Sequence, residues 1–416
     1  MKTLLIADIG GAPKGYPHVA FPKNFYHVGD EAILEATYAW YRKNKPSIQL
    51  SYLSWGRSYS KYTAQKISHF VWPTKRFVNR LYFFIFLIKV ALHEIFNLKA
   101  LNKNERRLVE IIRSNDRIHF AGGGNLNSLY PAWLYYMNCL IGLSFILRKE
   151  VILTSHTIGP FKFIDWFVTG FFLRLADIVA VREPHARSLR KPMLDVCYFG
   201  FKHPKRKIKQ RKEVVIGLSL HELKKFNKNE TVSFAVRLIY TLSIKNDCSF
   251  VFIPHVSTDI AIYKLIHKQV GNRISLAAVD NQVASMLSEI QKIDLLISSR
   301  YHGLVFALSQ NIPSVSIVAD SYYDLKNTNL LETVYDEKAH KYSLDLRHGT
   351  EYEKIIPKLN TLIDNVAIEK NRLLRINRSL KINKGLFTLN NLSTFQKSFS
   401  PNRLFIFRPF IRFYKA

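Results

Sequence analysis

What most constrains this chain is an alternation of short apolar, β-branched runs with longer stretches of helical periodicity. Runs at Leu4–Ala7, Ile48–Leu53, Arg117–Ala121, Val151–Ser155, Ile178–Val181 and Val196–Phe199 read as strands. Helical patterns such as Asp30–Lys43 and Leu126–Leu147 lie between them. Strands alternating with helices form βαβ units, and successive units build a parallel sheet. The alternation stops at residues 201–212, FKHPKRKIKQRK, and restarts with strands expected at Val214–Leu220, Phe250–Ile253, Ile293–Ile297 and Ser314–Val318. A chain of 416 residues exceeds one ordinary core and fits two. The expectation is therefore an α/β protein of two Rossmann-like domains in a GT-B-like arrangement with an interdomain cleft. Residues 1–200 form the first domain, 201–212 a basic linker, 213–350 the second domain, and 351–416 a closing helix with a basic aromatic tail.

The formal charge of +30 speaks about partners, not fold: nucleic acid, an anionic membrane surface or an acidic substrate would each match it. Three cysteines without CxxC spacing (Cys139, Cys197, Cys248) argue for reduced thiols and a cytoplasmic setting, against disulfides or a zinc cluster. Met1–Ile9 carries one lysine and no small-residue cleavage site, so it reads as a first strand and not as a signal peptide. Leu81–Leu92, LYFFIFLIKVAL, is shorter than the roughly 20 apolar residues that cross a bilayer. It reads as a core helix, with a helix lying in a membrane interface as the alternative. From Lys370 onward there are eleven Lys or Arg and no acid, with Phe and Ile interleaved near the end. That pattern suits an anionic membrane surface, and no nucleic-acid motif accompanies it. Peripheral attachment to the inner face of the cell membrane is the expectation, with a solvated tail as the bland alternative.

Ligands of open α/β sheets bind beyond the carboxyl ends of the strands, so the motifs there carry most weight. In IHFAGGGNL an apolar run meets Gly122, Gly123, Gly124 and Asn125, with a helical pattern after them. Glycines let a ligand approach the backbone closely, and a helix start offers free N–H groups; a tight turn without ligand is the plain alternative. In LLISSRYHGLVFAL, Arg300 and His302 follow a buried-looking strand. Arginine provides a fork for phosphate or carboxylate, and histidine donates to an anion or moves a proton near neutral pH. In NFYHVGDEAIL, Asp30 reads as an N-cap, a role compatible with catalysis. His156 in SHTIGPF, Arg182–Glu183 in AVREPHARSL, His255 in FIPH and Lys326 in SYYDLK are weaker candidates, since a lone histidine or ion pair is more often structural.

Taken in order, GDEAIL, AGGGNL, TIGPF, VREPHARSL, the strand-end R-x-H and Y-x-x-K resemble the polysaccharide pyruvyl transferase family over roughly residues 24 to 335. The resemblance implies phosphoenolpyruvate as donor, bound by Arg300 and His302, and no resident cofactor. It implies an acceptor side that includes the Gly122–Gly124 turn, and a saccharide acceptor, lipid-linked or part of a cell-surface polysaccharide. Two positions depart from the family: Glu183 stands where an aspartate is usual, and His221 in GLSLHE stands where an arginine is usual. On this reading Arg300 is the anion clamp with Lys326 in support. His302 is the acid or carboxylate ligand and Asp30 the base. His156, Arg182 and His255 line the cleft, and no metal is required. The alternatives are a GT-B glycosyltransferase using a nucleotide sugar and a non-catalytic membrane-associated binding protein on the same scaffold.

Overall fold

Strands that are apolar on both faces need cover on both faces, which parallel sheets flanked by helices provide. The computed structural model describes residues 1–6, 28–53, 65–67, 80–98, 101–182, 191–201, 213–222, 228–256, 258–279, 282–347, 349, 351–382 and 388–390. Two parallel sheets organise them. The first contains β1 (Lys2–Ile6), β2 (Gln49–Leu53), β3 (Gln65–Ile67), β4 (Arg117–Phe120), β5 (Gly123–Leu126), β6 (Glu150–Ile158), β7 (Ile178–Val181) and β8 (Lys191–Pro192). Its order is β3-β2-β1-β4-β6-β7-β8, with β5 paired to β6. The second contains β9 (Val214–Ser219), β10 (Cys248–Phe252), β11 (Ile274–Leu276), β12 (Leu295–Ser298), β13 (Ser314–Val318) and β14 (Ser343–Asp345), ordered β11-β10-β9-β12-β13-β14. In both sheets the chain moves outward one way and then the other, so β1/β4 and β9/β12 are switch points. The glycine turn follows β4 and Arg300 follows β12, which is where such sheets expose a ligand site.

The helices of the first region are α1 (Val28–Asn44), α2 (Arg80–Phe96), α3 (Lys103–Arg113), α4 (Pro131–Ile146), α5 (Phe163–Arg174) and α6 (Val196–Gly200). The second region has α7 (Lys228–Lys245), α8 (Asp259–Val270), α9 (Val283–Ile290), α10 (Tyr301–Ser309), α11 (Ser321–Tyr323), α12 (Asn329–Tyr335), α13 (Tyr352–Asp364) and α14 (Val366–Ile382). One apolar core runs from α1 and α6 into α10 without interruption. Gly200 makes this approach close: a Cβ there would lie 2.5 Å from that of Ala36. Asn377 on α14 ties the regions further. It accepts from the Tyr198 hydroxyl at 2.8 Å and donates to Leu308 O at 2.8 Å and Asn311 Oδ1 at 2.9 Å.

Four expectations need correction. Val196–Phe199 is not a strand but part of α6, capped by Asp195, whose carboxylate accepts from Cys197 N at 2.9 Å. The glycines do not open a helix: they lead into β5, and α4 starts only at Pro131. Asp30 lies inside the first turn of α1 and not at its cap. Leu81–Leu92 is no plain core segment, because Phe83, Phe86, Leu87 and Val90 are buried while Phe84, Ile85, Ile88 and Leu92 are exposed. Residues 202–212 of the basic linker and 391–416 of the tail lie outside the described residues. The three cysteines are free.

Candidate active site

The site grows from the two strand ends facing each other across the regions. After β12, Ser298 Oγ accepts from Arg300 N at 2.9 Å, and Arg300 becomes the cap residue of α10. Its guanidinium pairs in fork fashion with Asp259 at the start of α8, Nε–H donating to Oδ2 at 3.2 Å and Nη2–H to Oδ1. Asp259 Oδ2 also accepts from His255 N and Val256 N, both at 3.1 Å, so the carboxylate is fixed before it meets the arginine. Two of the five N–H groups of Arg300 are thus committed. The other three have no hydrogen-bond acceptor among the described residues. The guanidinium lies close enough to Tyr323 and to Tyr130 of the first region that their phenols, after burial and Asp259, influence its pKa, which is raised. Arg300 therefore stands between the regions, half-held by Asp259.

His302, in the first turn of α10, is buried against the first region. A Cβ on Gly29 would come within 2.0 Å of its Nδ1, so only glycine fits beneath the ring. Its Nε2 faces Asp195 Oδ2 at 3.6 Å, and the same carboxylate oxygen takes Arg182 Nη2 at 2.8 Å. Burial lowers the pKa of His302, with Asp195 acting in the opposite sense, so the ring is neutral at neutral pH. Asp195 stays ionised: burial opposes this, but Arg182, His302 and the Cys197 amide hold its pKa well below the carboxylate range.

The glycine turn meets the second region directly. The Tyr322 hydroxyl donates to Gly124 O at 2.9 Å, and a Cβ at Gly124 would lie 2.2 Å from that hydroxyl and 3.2 Å from Lys326 Nζ. The close approach that glycine permits here is thus taken up by a tyrosine and a lysine of the opposite region. Gly122 and Gly123 have φ of 113° and 127°, where a side chain is strained. Lys326 sits on a π-helical turn, Asp324–Thr328, and π-turns cluster at functional sites. Its ammonium donates to the Tyr322 hydroxyl at 3.4 Å and lies 5.0 Å from the Tyr301 ring centroid. Arg182 covers the same Tyr301 ring at 4.6 Å, so cations from both regions share one aromatic ring.

Two buried histidines complete the surroundings. His156 follows Ser155, a non-glycine residue at φ 61° where the β6 register shifts, a bulge that re-aims the chain. Burial and then Arg182 lower the His156 pKa from 6.5 to about 3. His255 is 3 % exposed and stacks on Phe306 at 6.0 Å, while its carbonyl accepts from Val28 N of α1 at 3.2 Å. Burial, Arg300 and His302 push its pKa well below 6.5. The His255 ring makes no hydrogen bond among the described residues, and buried nitrogens without partners mark places where a ligand can complete the bonding.

The structure thus gathers Gly122, Gly123, Gly124, Arg182, Arg300, His302 and Lys326, with His156 and His255 beside them. Asp30 is buried next to Gly29, near enough to Cys197 to help raise that thiol, after burial and Asp195. His221 pairs with Ser299 Oγ at 2.7 Å and packs 4.4 Å from the Tyr323 ring. Glu183 and the side chain of Asn125 lie outside the described residues. Sequence reasoning missed Asp195, Asp259, Tyr301 and Tyr322. An aspartate just before a helical run was the available signal for the first. Among the described residues, no group of three or more His, Cys, Asp or Glu is placed to hold a metal ion.

A family model described as polysaccharide pyruvyl transferase matches residues 27–321. No curated protein matches the chain. Among solved structures, the UDP-GlcNAc 2-epimerase from Neisseria meningitidis bound to UDP-GlcNAc superposes with a TM-score of 0.56 at 10% identity, covering 95% of this chain and 98% of that one. S. aureus MnaA with UDP gives 0.52 at 11% identity, covering 93% and 99%. The spinosyn rhamnosyltransferase SpnG gives 0.50 at 12%, covering 92% and 96%. At such identities these likenesses establish the GT-B-like fold alone.

Proposed function

The chain belongs to the polysaccharide pyruvyl transferase family, and from that membership we propose that it transfers the enolpyruvyl group of phosphoenolpyruvate to two hydroxyls of one saccharide unit, forming a pyruvate ketal and releasing phosphate. The observation carrying this reading is Arg300 at the inter-region end of β12, oriented by Asp259 with three N–H groups left for an anion. Lys326, across from Gly124, supplies a second cation for the donor's phosphate or carboxylate.

The chemistry balances without a redox partner. A proton adds to the methylene carbon of phosphoenolpyruvate, making a methyl group and a cation-like central carbon. A saccharide hydroxyl attacks that carbon and loses its proton, and the carbon–oxygen bond to phosphate breaks. The second hydroxyl then closes the ketal. Of the two hydroxyl protons one ends in the methyl group and one on phosphate, so the site must relay protons but not supply them. We assign the relay to His302 with Asp195, and the base for the hydroxyls to Asp30. Burial favours the neutral form of His302, and the negative charge of a bound donor favours its protonated form, which makes the acid only when there is something to protonate. His156, His255 and Arg182 are assigned to the walls that orient the reactants.

Arg300→Ala should reduce phosphoenolpyruvate-dependent phosphate release, assayed with a saccharide acceptor, to background while circular dichroism stays that of wild type. Wild-type turnover by the variant would remove the assignment. The fold is also that of nucleotide-sugar enzymes such as the epimerase bound to UDP-GlcNAc, and transfer from a nucleotide sugar is the second reading. Under it, a nucleotide sugar and not phosphoenolpyruvate would raise the melting temperature.

A further inference from the structure

The first region carries an apolar face that the proposed chemistry leaves unused. On α2, Ile88, Ile95 and Phe96 are between 58 and 70 % exposed, while the opposite side of the helix packs into the core. On α5, Phe163, Ile164 and Phe167 are between 46 and 68 % exposed, again opposite a buried side. The two helices are continuous through α4. Phe172 and Leu87 both press on the space beside Gly142, and the Phe84 and Phe172 rings lie 6.4 Å apart. At the other end the face reaches the site. Lys162 N, at the cap of α5, donates to Ser128 Oγ at 2.7 Å, which ties the 128–130 loop, where Leu129 and Tyr130 are both exposed, to the start of α5. Tyr130 in turn meets Tyr322 edge to face at 6.1 Å.

Apolar surface of this extent marks a partner, and its charge indicates which. Lys162 and Arg174 bracket α5, and its one acid, Asp165, is buried and engaged by Ser128 and Tyr135. The acid on α2, Glu94, is paired with Arg113. With a formal charge of +30, two copies of the chain repel each other, whereas an anionic surface attracts. No helix among the described residues is long and apolar enough to cross a membrane. We propose that α2, α5 and the 128–130 loop lie in the interface of an anionic bilayer, which brings the Tyr130 edge of the site to the lipid surface. Docking does not depend on the donor chemistry; only the corollary, that the acceptor saccharide is presented on lipid, rests on the proposed function.

The test is co-sedimentation of the full chain with phosphatidylglycerol-containing vesicles and with pure phosphatidylcholine vesicles, without substrates. Wild type should bind the anionic vesicles, and binding should weaken with salt. Ile88→Ser/Ile95→Ser and Phe163→Ser/Phe167→Ser should each lower binding at least about tenfold with unchanged melting temperature, since only exposed apolar contacts are lost. Wild-type-like binding by both variants would overturn the proposal, as would absence of binding by wild type. So would a dimer that these substitutions dissociate while vesicle binding persists, which would assign the face to a second copy. None of these outcomes bears on phosphate release, so failure here and failure of the donor assignment stay distinguishable.

Discussion

Single residues at the site act through partners on other elements. Asp195 serves the α6 cap, Arg182 and His302 at once, so its charge partly offsets the lowering of the ring's proton affinity by burial. In Asp195→Asn the pKa of His302 should fall below its already lowered value. If the imidazolium protonates the donor, the descending limb of kcat against pH moves to lower pH, and kcat at neutral pH drops about a hundredfold. A folded variant with an unmoved limb would exclude His302 as the acid. Gly29→Ala tests the same ring by shape: the added methyl displaces His302 and should reduce kcat more than it changes KM. Arg300 and His302 were legible in sequence because both follow one strand end within four residues. Asp259, 41 residues from Arg300, and Asp195, in the other region, leave no local periodicity that could announce the pairing.

At the scale of elements, long periodic segments such as α1 and the buried strands were readable, and short ones were not. Val196–Phe199 is four apolar residues, a length at which strand and buried helix share one pattern. The three glycines imitated a strand-to-helix turn, but β5 intervenes because Gly123 and Leu126 pair with β6. The closing helix α14 makes a specific contribution through Asn377. Asn377→Leu strands the buried Tyr198 hydroxyl and Leu308 carbonyl, and should cost about 1–3 kcal/mol in urea unfolding. Gly170 is the converse case. Nothing lies within 4 Å of a Cβ there, so Gly170→Ala should stabilise α5 by about 0.5–1 kcal/mol.

For the whole molecule, the alternation of strands and helices determined the architecture, while the docking of the two regions depended on contacts invisible to composition. Folding buries several neutral histidines. Burial lowers His119 and His156 from 6.5 to about 3, and pushes His255 well below 6.5. These rings take up protons in the unfolded chain below about pH 6.5 but not in the folded one. Their stability is therefore complete above that pH and lost as the solution is acidified, by about 4 kcal/mol per pH unit for the three together. Urea midpoints at pH 7 and pH 5.5 check this; an unchanged midpoint would mean the rings are not buried neutral. The central claim, that Arg300 grips a small phosphorylated acid between the regions, is tested most directly by calorimetric titration of wild type and Arg300→Ala with phosphoenolpyruvate. Saturable binding by wild type that the variant lacks is the result expected. Equal binding by both proteins, or none by wild type, would contradict it.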